Sequence, residues 1–211
     1  MITDNFKGNN VPLWVEKVTK VRGTALFSPV SFALHAGEGL GIYGHNGCGK
    51  TTLLDMIAGV RSPDAGEIKL DTSVGYVMQS DGFQDSMTCR DNLLFEAALC
   101  GLRGQEARQR VELSAEQCGV SDFLGKRLSR CSAGMRGRLS IAAALIPKPG
   151  VLLLDEAFSA LDAESHSRIK SLLLAQKESG TALVLVSHSR EDFVGLCERV
   201  LTLPDGEVNR I

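Results

Sequence analysis

The chain has 211 residues, 44% of them hydrophobic and 23% charged, enough for one good core or one core with a small attached lobe. Its 23 basic and 25 acidic residues leave a formal net charge of -2, so no polyanion-binding tail is expected, and the Arg and Lys residues between Arg103 and Arg138 read as solvated helix faces. Cysteines at 48, 89, 100, 118, 131 and 197 form no C-x-x-C pair, which points to a reducing compartment and away from a disulfide frame or a zinc site.

In chain order, the polar opening "MITDNFKGNN" reads as lacking a signal peptide. "LWVEKV" (13–18), "VSFAL" (30–34) and "GLGIYG" (39–44) are predicted strands. From Lys50 the period changes, and Leu53, Leu54, Ile57 and Ala58 share one helical face. "RSPDAGE" (61–67) carries turn chemistry, and "EIKL" and "VGYVM" are short strands. From Thr88 to about Leu145 the pattern is helical. It opens with a Thr88/Asp91 capping box, continues near 105–118 and 135–145, and stops at Pro147. "VLLLDE" (151–156) and "ALVLVS" (182–187) are buried strands, separated by an amphipathic helix over 165–176 that turns Ile169, Leu172 and Leu173 inward. "VLTLPDGEV" (200–208) is a hairpin with a Pro-Asp-Gly turn.

Near-continuous apolar strands alternating with helices predict an α/β fold whose mainly parallel sheet is covered on both faces. The helical block, approximately 85–146, reads as a lobe inserted into a single domain spanning 1–211. The longest apolar runs are too short to span a bilayer, so work at a membrane would need a partner to hold the chain there.

"GHNGCGKT" (44–51) matches the phosphate-loop pattern G-x-x-x-x-G-K-[ST] between a strand and a helix. Its glycines let successive N–H groups turn inward, so Gly44, His45, Asn46, Gly47, Cys48, Gly49, Lys50, Thr51 and Thr52 are candidate nucleotide-binding residues. Lys50 is expected at the β- and γ-phosphates of a nucleotide and Thr51 on Mg²⁺. Cys48 is either a small filler or a thiol activated at a helix start, and alkylation tests the second reading. At the end of "VLLLDE", Asp155 is expected in the Mg²⁺ shell and Glu156 as the general base for an attacking water. Gln79 and His188 end two further strands, each a weak signal alone. "CSAGMRGR" (131–138) is either an anion-binding helix start or an ordinary cap.

The order of these pieces resembles the ATP-binding subunits of ABC transporters, from about residue 13 to the C-terminus. "GHNGCGKTT" is similar to the Walker A loop, Gln79 to the Q-loop position, "CSAGMRGR" to the signature and "VLLLDE" to Walker B. "SALD" (159–162) is similar to the D-loop, and His188 to the switch histidine. The resemblance implies a RecA-like P-loop NTPase core, an antiparallel β region reduced here because Lys50 to Gln79 is short, and the helical lobe. It also implies a head-to-tail dimer in which each ATP lies between one copy's Walker A and the other's signature. Catalysis would then rest on Glu156, His188 and Lys50; Mg²⁺ on Thr51, Gln79 and Asp155; and nucleotide contacts would include Ser132, Gly134 and Asp162.

Several positions depart from the family pattern. The adenine-stacking aromatic is replaced by Val21, the usual Pro after Glu156 is Ala157, and the signature carries Cys131, Ala133 and Met135. The stretches 79–102 and 132–139 resemble polysaccharide and teichoic-acid exporters of the ABC-2 type, and "ALFSPVSFAL" with "SAGM" resembles haem-exporter ATPases. The resemblance implies a separate transmembrane permease, contacted through Phe83 and the Gln79–Thr88 region, with the chain cytoplasmic and peripheral at the inner face of the membrane. Phe83 is equally a core anchor for its own loop. The alternative class is a soluble ATPase acting on ribosomes or nucleic acid. It usually carries tandem domains or a long coiled coil, and direct nucleic-acid contact is not expected here.

Overall fold

The computed structural model describes residues 11–79 and 82–210. The chain first lays down β1 (Leu13–Thr19), a ribbon of β2 (Val21–Arg22) and β3 (Thr24–Ala25), β4 (Val30–Leu34) and β5 (Gly39–Gly44). Then come α1 (Lys50–Ile57), β6 (Ala65–Leu70) and β7 (Val74–Val77). Three helices follow, α2 (Cys89–Leu99), α3 (Gly104–Gln117) and α4 (Ala133–Leu145). The chain closes with β8 (Val151–Asp155), α5 (Ala163–Glu178), β9 (Ala182–Val186), β10 (Arg199–Leu203) and β11 (Glu207–Arg210).

The main sheet runs β11-β10-β5-β9-β8-β7, parallel throughout except for the β10–β11 hairpin. Every residue of "VLLLD" in β8 and of "ALVLV" in β9 is buried, as a strand covered on both faces requires. Alternation then divides each strand between two cores. Leu152, Leu154, Leu183 and Leu185 join the helical lobe and α5, whereas Val151, Leu153, Val184 and Val186 join α1 and the smaller sheet.

That smaller sheet is antiparallel, in the order β4-β1-β6. Strand β6 begins at Ala65, inside the segment whose composition predicts a turn, because β1 offers it a partner: Thr19 pairs with Ala65. Gly66 makes this approach feasible, since at φ 86 an added Cβ would sit 2.4 Å from the carbonyl oxygens of both Glu16 and Lys17. The predicted capping box holds: Thr88 Oγ1 accepts from the Asp91 N–H at 3.1 Å and donates to the Asp91 carboxylate at 2.6 Å. Helix α4 starts two residues before the expected 135 because Ser132 caps it, and α5 extends beyond 165–176 at both ends, with Asp162 capping its start. The β2–β3 ribbon is not predicted from sequence, its strands being two residues each.

Parallel neighbours β5, β9, β8 and β7 all end on one edge of the sheet, and each carries a candidate residue there. Among the described residues no helix is long and apolar enough to cross a membrane.

Candidate functional site

The loop after β5 is wedged into place. A Cβ at Gly49 would lie 2.7 Å from Phe27 Cδ1, and one at Gly44 would lie 2.4 Å from the Leu203 carbonyl oxygen. Gly47 and Gly49 hold φ angles of 81° and 102°, which curl the backbone into α1. Gly49 provides no side-chain cap, so the first turn of α1 presents its N–H groups without a capping oxygen, a start suited to an anion. Lys50 is buried and donates to the carbonyls of Gly44 at 2.8 Å and His45 at 3.2 Å, which lays its ammonium across the loop. Cys48 is 2% exposed and packs in the core with the α1 side of the sheet. The activated-thiol reading therefore gives way to that of a small core residue whose backbone alone serves the loop.

Across from this loop, the Thr51 hydroxyl donates to Asp155 Oδ2 at 2.6 Å. Burial pushes the Asp155 carboxyl above its ordinary range; the Thr51 hydrogen bond and the Lys50 charge pull the other way, while Glu156 and Asp55 add to the push. A cation at this corner would relieve that burden. The hydroxyl and carboxylate are hard oxygen donors, and the Gln79 side chain borders the same cleft. No cluster of three His, Cys, Asp or Glu residues able to hold a metal exists among the described residues. Mg²⁺ fits such a place, because it keeps few protein ligands and completes its shell with water and phosphate oxygens.

Glu156 follows β8 with φ 53°, a left-handed conformation rare for a side chain of this size. Its N–H donates to the Val186 carbonyl at 3.1 Å, and its Oε1 lies 2.6 Å from His188 Nε2. Adjacent parallel strands thus deliver Glu156 and His188 to one point, and both border the cleft of about 340 Å³ that also holds Asn46, Lys50, Thr51 and Thr52.

Two further features escape sequence reading. The first is the part of the cleft bordered by Arg22 and Leu26; Val21 is 48% exposed and does not line it. Asp64 anchors this ribbon by accepting from Lys20 Nζ and from the Val21 N–H, each at 2.7 Å. The visible signal is Gly23 in "KVRGTALF", a turn glycine at φ 75°. The second is the buried Asp192, which accepts from the Ser187 hydroxyl and lies 3.0 Å from His166 Nε2 on α5. Ser187 Oγ in turn accepts from the Ser189 N–H at 3.0 Å, so this network frames the backbone on both sides of His188.

The remaining candidates stand apart from the cleft. Ser132 caps α4 by accepting from the Met135 N–H at 3.3 Å, and Asp162 caps α5 by accepting from the Ser165 N–H at 2.8 Å. An added Cβ at Gly134 would lie 2.9 Å from the Ala160 carbonyl oxygen, so this glycine lets α4 approach the 159–162 segment. Phe83 is half-buried against the core of the helical lobe, and it also borders a groove with Tyr76, Met78, Glu96 and Ser140.

A family model described as "ABC transporter" matches residues 27–159. The ABC transporter protein AbcA of Aeromonas salmonicida is 33% identical over 180 residues, covering 85% of this chain and 58% of that protein. The spermidine/putrescine import ATP-binding protein PotA of Nitrosomonas europaea is 35% identical over 194 residues, covering 86% of this chain and 54% of that protein. The chain thus spans little more than half the length of these two relatives. Among solved structures, the dimeric bacterial ABC transporter cassette MJ0796 superposes with a TM-score of 0.84 at 25% identity, covering 94% of this chain and 97% of that one. The same cassette is also known in a post-hydrolysis state bound to ADP and Pi.

Proposed function

Because the chain belongs to the ABC transporter family, we propose that it is a single ATP-binding and ATP-hydrolysing domain that dimerises and powers a separate transmembrane permease. The observation that carries this reading is the convergence of Lys50, the Thr51–Asp155 pair and the Glu156–His188 pair on one cleft. In it, the loop N–H groups and Lys50 hold the phosphates. Thr51, Asp155 and Gln79 would hold Mg²⁺, which would supply charge neutralisation during phosphoryl transfer. Glu156 takes the proton from the attacking water, and His188 holds that carboxylate in position.

A second copy completes each site with Ser132, Gly134 and Asp162. This is supported by their place outside the chain's own cleft, and by MJ0796 being a dimeric cassette. The cap and anion readings of "CSAGMRGR" then merge: Ser132 starts α4 and offers that start to the other copy's phosphate.

The permease would dock on the groove beside Phe83. Met78 lines it at 42% exposure, and Phe95 and Leu99, chain neighbours of the groove-lining Glu96 and Cys100, are 51% and 67% exposed and share one face of α2. In this reading the chain sits at the cytoplasmic face of a membrane through its partner. Export is the direction we adopt, from the likeness of 79–102 to ABC-2-type exporters; PotA, named for import, is of comparable similarity, and the permease decides the direction. The test is copurification of the chain with a membrane protein from its own source cells. Leu99→Asp should abolish capture while isolated ATPase activity is unchanged. Undiminished capture would remove this docking face, and absence of ATPase activity in the unmodified protein would remove the function.

A further inference from the structure

Away from the nucleotide cleft, the thiols of Cys89 and Cys131 meet with their sulfurs 3.5 Å apart. We propose that these two residues form a reversible dithiol–disulfide pair whose oxidation pins the start of α4 and disables Ser132. The chemical half stands on geometry alone; the functional half rests on the role given to Ser132 above.

A disulfide bond is about 2.05 Å long, so closure requires the sulfurs to move together by about 1.5 Å. The two sides differ in what they can yield. Cys89 is the first residue of α2 and fully buried. Its N–H donates to the Lys126 carbonyl at 2.9 Å, and Leu128 N–H donates to Met87 at 3.0 Å, so the start of α2 is stitched to the segment before Cys131. Cys131 is half-buried and extended, at φ -85° and ψ 142°, between a short helical turn and α4. Closure therefore draws Cys131 toward Cys89, and Ser132, its chain neighbour, moves with it.

Access assigns the roles. Solvent reaches Cys131, which meets the oxidant first. Burial and then the Cys131 contact push the Cys89 thiol up to about 12, so Cys89 serves as the resolving partner. With a peroxide as oxidant, the Cys131 thiolate attacks one peroxide oxygen, gives a sulfenic acid and releases hydroxide, which takes up the thiol proton as water. The Cys89 sulfur then attacks the Cys131 sulfur, the S–S bond forms, and the second oxygen leaves as water with the Cys89 proton. Two thiols and one hydrogen peroxide become one disulfide and two waters; a dithiol reductant reverses the step.

The experiment treats the full chain with hydrogen peroxide, blocks remaining thiols, maps peptides by mass spectrometry and measures ATP hydrolysis before and after dithiothreitol. The expected result is a Cys89–Cys131 crosslink and a loss of hydrolysis of about ten- to a hundred-fold, in line with an ångström-scale misplacement, restored on reduction. Cys89→Ala should resist the same dose; Cys89→Ser replaces it if the first variant does not fold. Absence of the crosslink overturns the pairing, even if Cys100 or Cys131 is oxidised singly. A crosslink that leaves hydrolysis unchanged overturns the effect on Ser132. A reduced protein that never hydrolyses ATP counts against the proposed function, while the crosslink map still decides the pairing.

Discussion

At the residue scale the site turns on Glu156. Its left-handed φ of 53° costs on the order of 1–3 kcal/mol for a non-glycine residue, and the fold holds it there through the Val186 carbonyl. The result is a carboxylate 2.6 Å from His188 Nε2 beside the phosphate loop. Glu156→Gln keeps the size and removes the proposed base, so ATP binding should persist while hydrolysis falls about 10²–10⁴-fold, as single-turnover kinetics would read. Wild-type hydrolysis in that variant would mean another group takes the proton. The Asp192 network makes a gentler claim. Asp192→Asn leaves a group that still reaches Ser187 but removes the carboxylate that faces His166, so kcat should fall several-fold with the KM for ATP nearly unchanged. Loss of folded protein would also lower kcat at constant KM, so thermal melting should find the variant as stable as the unmodified chain; an unchanged kcat would dissociate the network from His188.

Among the elements, the β2–β3 ribbon differs most from the family pattern. Where that pattern has an aromatic ring, Arg22 of this ribbon and Leu26 just after it border the cleft. A guanidinium stacked on a flat ring is worth about 0.5–2 kcal/mol, so Arg22→Ala should weaken ATP binding roughly two- to thirty-fold, measured by titration calorimetry. The ribbon's anchor also sets a pH dependence. The Lys20 hydrogen bond, with the Val21 N–H, holds the Asp64 carboxyl below its ordinary range. A carboxylate depressed on folding stabilises above its unfolded pKa and loses that contribution as pH falls through its folded value. Nucleotide affinity in the unmodified chain should therefore decline at the acid end more steeply than in Asp64→Asn, which lacks the anchor at every pH. Matching profiles would dissociate Asp64 from the cleft.

The same elements mark how much of the site is legible in sequence. The glycine pattern of the phosphate loop and the apolar runs of β8 and β9 are local, so the strand ends and their side chains can be read directly. Arg22 escapes because strands of two residues carry no period, and because Asp64, which secures them, lies more than forty residues away. The Asp192 network escapes for a similar reason, since His166 and Asp192 are 26 residues apart and meet only when α5 packs beside the end of β9. Cys48 shows the reverse case: its position in the loop suggests reactivity, and only packing reveals that its thiol points into the core.

For the molecule as a whole, the arrangement of these parts implies incompleteness. One edge of the parallel sheet gathers Lys50, Thr51, Asp155, Glu156 and His188, while Ser132 and Asp162 cap helices outside that cleft. The rotational pair proposed above would resolve this, each copy offering its helix start to the other's phosphates. The direct test mixes two variants, Lys50→Ala and Ser132→Arg, and measures ATP hydrolysis. Each variant alone should be inactive, one lacking the phosphate lysine and the other the shared helix start. Their mixture should regain activity, since a mixed pair has one site built from the intact Lys50 of one copy and the intact Ser132 of the other. A mixture as inactive as its components, or full activity from Ser132→Arg alone, would contradict a site divided between two chains.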